Sequence, residues 1–124
     1  MAFEQSIKTI SLESGADLTA KQYHFVQINT STGKVEACAA GGDGIGILQN
    51  APAAGEAASV AIEGVSKLLI ETAASVGFGS NLMADAAGGG ELATSTNYVL
   101  AKCLEDPTTD DEVVAVLLHK IGPA

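Results

Sequence analysis

The chain has 124 residues and a formal net charge of −9, with 15 Asp and Glu against six Lys and no Arg. That length is one domain's worth, and with 21 alanines and 4% aromatic residues its apolar core is thin, so an oligomer or a larger docking surface would reinforce it. The lysines are scattered and form no basic cluster, which argues against nucleic acid and against an anionic membrane surface, and no apolar run approaches the ~18 residues of a membrane-spanning helix.

Residues 1–14 stand apart from the rest. Phe3, Ile7, Ile10 and Leu12 lie among polar residues, with no turn signal before Ser14-Gly15. The segment reads as an extended N-terminal arm that orders on contact with something. Its opening residues lack the charged-then-apolar pattern of a signal peptide, which points to a cytosolic start.

From Gly15 onward, short apolar runs alternate with Gly, Ala, Asp, Asn and Pro. Tyr23 to Ile28 and Lys34 to Cys38, separated by Asn29-Thr-Ser-Thr-Gly33, predict a β-hairpin. Further short strands are expected at Ile45–Leu48, Ala58–Ile62, Val65–Ile70, Leu82-Met83, Leu92-Ala93, Val99–Leu104 and Val113–Leu118. Gly64 separates the second and third of these runs. Asp17 to Lys21 and Glu71 to Ser75 suit at most one helical turn each. Alternation assigns the core to Phe25, Val26, Ile28, Val35, Ile45, Ile47, Val60, Ile62, Val65, Leu68, Ile70, Val99, Val116 and Leu118.

The chain also carries an internal echo. Ile45–Pro52 and Leu100–Pro107 align 55 residues apart, and each Pro turn leads to a strand. Two unrelated Pro turns are the alternative. The fold expected is all-β, a small β-barrel or β-clip-like domain over residues 15–124. Its two similar β-hairpin units would span about 15–70 and 71–124, preceded by the arm at 1–14.

The search for chemistry ends without a constellation. His24 and His119 have no second ligand at metal spacing, and Cys38 and Cys103 form no CxxC, so no metal, cofactor or catalytic residue is assigned. The two cysteines read as reduced thiols. Gly41-Gly-Asp-Gly-Ile-Gly46 fails the dinucleotide spacing and precedes a strand, so its glycines read as tight turns. The acidic run Glu105–Glu112 lacks the spacing of a calcium loop and reads as a solvated turn. A small carrier or ligand-binding β domain is the rival reading, but its modifiable Lys should sit at a hairpin tip, and Lys67 lies within an apolar strand.

Ala16-Asp-Leu-Thr-Ala-Lys-Gln-Tyr-His-Phe-Val26, then Gly46-Ile-Leu-Gln-Asn-Ala-Pro-Ala-Ala-Gly-Glu56 and Glu63-Gly-Val-Ser-Lys67, carry a resemblance. The chain resembles the head decoration, or capsid cement, proteins of tailed bacteriophages from about Ser14 to Leu118. The resemblance implies a non-enzymatic structural protein, made in the host bacterial cytoplasm and bound to the outer surface of the mature capsid. It implies the major capsid protein and further copies of this chain as partners, a trimer favoured and a dimer possible. Phe3, Ile7, Ile10 and Leu12 of the arm are the candidate capsid or subunit contacts.

Overall fold

The computed structural model describes residues 5–94 and 96–123. It contains strands and turns, with no helix among the described residues. Nine strands follow in order: β1 (Gln5–Glu13), β2 (Phe25–Ile28), β3 (Val35–Ala37), β4 (Gly46–Leu48), β5 (Ala57–Ile70), β6 (Asn81–Ala84), β7 (Gly90–Leu92), β8 (Tyr98–Cys103) and β9 (Glu112–Pro123). The all-β barrel-like class expected from the spacing of the apolar runs is the observed one. The hairpin is also where it was expected, with Val26 opposite Ala37 and Ile28 opposite Val35.

The strands close into two small rings that share β5. One ring runs β5–β4–β2–β3, then through a parallel bridge between Val35 and Ser14 to β1, which returns to β5. The other runs β5–β9–β8–β6–β7 and returns to β5 through the parallel pair Ile70 and Gly90. Closure of this kind satisfies the backbone and leaves few open edges.

Each ring has its own interior. Leu18, Val26, Val35, Leu48, Ala58 and Val60 fill the first, with Leu12 of β1 packed against them. Leu68, Ile70, Val76, Leu82, Leu100, Cys103, Val114 and Val116 dominate the second, to which Phe25, Cys38 and Ile47 are added from the first ring's strands. This division explains how an Ala-rich chain packs: two narrow interiors need fewer large side chains than one wide one. Both cysteines are free and buried. Burial, reinforced by the charge of Asp43, pushes the Cys38 thiol up to about 11, and burial raises Cys103 as well.

Several expectations change. The runs on either side of Gly64 form one 14-residue strand, β5, in which Gly64 adopts φ 101°. A left-handed glycine bends this strand without ending it. Ile28 is 39% exposed instead of buried, while Ile45, Ile62, Val65 and Leu118 are half-buried. Asp17 to Lys21 and Glu71 to Ser75 are non-helical and close as single turns, with Lys21 N–H donating to Leu18 O and Val76 N–H to Ala73 O. The 41–46 glycines serve close packing as well as turns, since a Cβ on Gly44 would meet Leu100 and one on Gly46 would meet Ala61 O.

Residues 5–13, expected as an arm ordered by contact, lie antiparallel along the chain's own β5, from Gln5 opposite Val65 to Glu13 opposite Ala57. The acidic run at 105–112 is tied to its surroundings. Glu105 Oε1 accepts Ala115 N–H at 2.6 Å, Asp110 Oδ1 accepts Ala73 N–H at 3.0 Å, and Glu112 Oε1 accepts Thr108 N–H at 3.0 Å.

Backbone hydrogen bonds recur 55 or 56 residues further along the chain. Gly55 N–H donates to Ser14 O, as Asp111 N–H does to Ile70 O. Gly15 N–H donates to Val35 O, as Glu71 N–H does to Gly90 O. Tyr23 N–H donates to Leu48 O, as Gly79 N–H does to Cys103 O. In this scheme β5 both ends the first set and begins the second.

Candidate functional site

Three features have the makings of a site: the outer face of β1, a groove beside the β2–β3 hairpin, and a buried polar cluster between the rings. On β1, Ile10 is 37% exposed, Ile7 is half-buried, and Leu12 is half-buried against the first ring's interior. Phe3 lies outside the described residues. The structure therefore aligns Ile7, Ile10 and Leu12 on one strand without presenting them equally to solvent.

The groove has a volume of about 630 Å³ and is lined by Ile28, Ile45, Glu36, Asp43 and Lys120 among others. Glu36 accepts from Gln27 Nε2 at 2.7 Å and from Asn29 Nδ2 at 3.2 Å, so its carboxylate is held at the wall. Lys120, from β9, pairs with Asp43 across the groove. Two isoleucines among amide and carboxylate side chains suit a protein surface better than a small anion.

The polar cluster draws on both rings. His24, just before β2, is 6% exposed; its Nδ1 lies 3.1 Å from Gln22 O and its Nε2 lies 3.3 Å from Glu71 Oε1. Asp85, after β6, accepts the N–H groups of Ala87 and Gly89 at 2.8 and 3.1 Å. Burial first, then hydrogen bonding and repulsion from the neighbouring Asp85 carboxyl, hold the Glu71 carboxyl above the ordinary range, against the opposing pull of His24 and Lys21. Glu91 is raised too, by burial and by the charge of Asp85. Two carboxyls so placed retain a proton more readily than separate ones. Among the described residues, no group of three or more His, Cys, Asp or Glu is placed to hold a metal ion.

A family model for phage cement proteins matches residues 4–118. The chain belongs to the phage cement protein family. Its role is accordingly a structural one, in association with the phage capsid. No curated protein matches. Among solved structures, the fold is shared with the N base of the head fibre gp8.5 of bacteriophage phi29, at a TM-score of 0.71 and 10% identity, over 93% of this chain and 98% of that one.

For a cement protein, the His24–Glu71–Asp85 cluster is a joint between halves of the molecule. In the sequence His24 has no second ligand at metal spacing, and Asp85 belongs to no motif. No short-range pattern links positions 24, 71 and 85. Lys67, the residue a carrier domain would need at a hairpin tip, lies within β5, half-buried, with its Nζ 5.6 Å from the centre of the Tyr23 ring.

The cluster makes stability depend on pH with a definite sign. A carboxyl whose folded-state pKa is raised contributes most below its unfolded value, and that contribution fades as pH rises through the folded value. Glu71→Gln imitates the protonated form. Its unfolding midpoint in urea is expected to match the parent's near pH 4 and to exceed it at pH 7.5. A variant weaker than the parent at pH 7.5, with the gap closing in acid, would show that the carboxylate's contact with His24 dominates instead.

Proposed function

We propose that the chain binds the outer surface of the mature, expanded phage head and strengthens it against the internal pressure of packaged DNA. The major capsid protein is its partner, and it acts as an oligomer of itself, a trimer favoured over a dimer. Synthesis takes place in the host bacterial cytoplasm and the protein's working place is the virion exterior. Membership of the cement family, over nearly the whole chain, is the observation that carries this reading.

The physical chemistry supports it. A net charge of −9 keeps the protein from competing for the packaged DNA, since it offers no cluster of cations to displace phosphate counterions. Many copies on a lattice convert modest individual affinities into a large total stabilisation. We propose the N-terminal segment as the capsid or subunit contact, through Phe3, Ile7, Ile10 and Leu12, with the exposed Ile10 the most available of the described three. The recurrence of backbone hydrogen bonds also supports division of residues 15–124 into two similar units within one domain.

The test mixes purified protein with stripped expanded heads and, separately, with unexpanded procapsids. Saturable binding to the expanded heads, together with a higher temperature of DNA release, is the expected result. Absence of binding to expanded heads overturns the reading.

A further inference from the structure

The contact between the two rings is made once inside the chain, and the counterparts of both its faces reappear uncovered elsewhere. On the first-ring side, Lys21 Nζ donates to Ala87 O at 2.9 Å, Phe25 N–H to Gly88 O at 2.7 Å and Gly41 N–H to Ala84 O at 2.8 Å. Tyr98 N–H returns a bond to Gly41 O at 3.2 Å, and Ala37 sits beside Gly88. On the second-ring side, Ala84 and Leu100 are consequently buried, at 0% and 4% exposure.

Shifted by the 55 or 56 residues of the repeat, these two faces fall on two other places, the groove beside the β2–β3 hairpin and the segment before β6 with the end of β7. Ala84, Tyr98 and Leu100 correspond to Ile28, Asp43 and Ile45, which line the groove; Ile28 is 39% exposed there. Lys21 to Phe25 and Ala37 correspond to 77–81 and Leu92, where Phe78 is 77% and Leu92 38% exposed. Phe78 is the most exposed large apolar side chain among the described residues. Each apolar patch is thus the unfilled counterpart of a contact that the chain makes with itself.

We propose that a second copy of this chain docks head to tail, its Phe78 and Leu92 end seated in the groove beside Ile28. Only the lateral faces are transposed. The continuous strand β5 has no equivalent between chains. A head-to-tail contact uses two different patches per subunit, so it builds a ring where the rotation closes and a filament where it does not, whereas a self-complementary patch stops at a dimer. This inference rests on the oligomer in the proposed function and gives it an interface.

Sedimentation velocity without capsids tests it, so its failure leaves the head-binding assay standing. Ile28→Glu and Phe78→Glu change exposed side chains and should keep the parent's circular dichroism. Each should raise the dissociation constant of the oligomer about thirtyfold or more, the size expected of a central apolar anchor. Leu92→Glu, at the counterpart of Ala37, should act likewise. The decisive arm is the equimolar mixture of Ile28→Glu with Phe78→Glu. Each variant retains the face that the other lacks, so the mixture should form one-to-one dimers that grow no further. A parent that stays monomeric, a single variant that keeps the parent's size, or a mixture that stays monomeric overturns the proposal.

Discussion

Gly46→Ala is expected to cost more than about 4 kcal/mol, enough to unfold most of the protein given the usual margin of a small domain. Gly46 lies on β4 against the shared strand β5, and a Cβ placed there would sit 2.1 Å from Ala61 O and 2.9 Å from Val60 Cγ1. The nearest obstacle is backbone. It cannot retreat, because the same stretch of β5 is held on its other side by β1, with Ala61 opposite Thr9 and Val60 opposite Ile10. Gly33→Ala is the control. Gly33 has φ +72° but nothing within 4 Å of an added Cβ, so only the left-handed backbone is penalised, by about 1–2 kcal/mol. Urea midpoints followed by circular dichroism measure both. A Gly46→Ala protein as stable as Gly33→Ala would mean that β4 and β5 are not so close.

Removal of residues 2–12 is expected to have two separable effects. From sequence alone, loss of the arm should leave the domain folded and weaken attachment to the head. In the structure, most of that segment is β1, paired with β5 and carrying Leu12 onto the interior of the first ring. Deleting it opens the ring beside Ala58 and Val60, both fully buried, and should cost roughly 3–6 kcal/mol of stability from lost apolar burial. Ile10→Ser separates stability from attachment. Ile10 is 37% exposed, so its replacement should change stability by no more than about 0.5 kcal/mol while still weakening binding to expanded heads. Equal head binding by Ile10→Ser and the parent would remove Ile10 from the contact.

The sequence by itself determined what depends on neighbours in the chain. Branched and aromatic runs bounded by Asn, Gly and Pro are enough to specify short strands, and so the all-β class and the β2–β3 hairpin were legible. Phe25, Val26, Val35, Ile47, Val60, Leu68, Ile70, Val99 and Val116 are buried as expected, although the adjacent Phe25 and Val26 achieve this by facing two different interiors, which alternation about one core does not provide. The motifs from Ala16 to Lys67 were long enough to carry the family resemblance. Tertiary structure alone decided what depends on distant pairing. Gly64 reads locally as a break, yet β5 continues through it because β1, β4 and β9 supply partners along its length. Ile28 points as alternation says but lacks the cover that its counterpart Ala84 receives from Gly41, since parity gives a direction and not what lies there. The His24–Glu71–Asp85 cluster joins three positions that no local spacing relates. Strand preference is set within a few residues, whereas ring closure and burial are set by which distant backbone groups can meet.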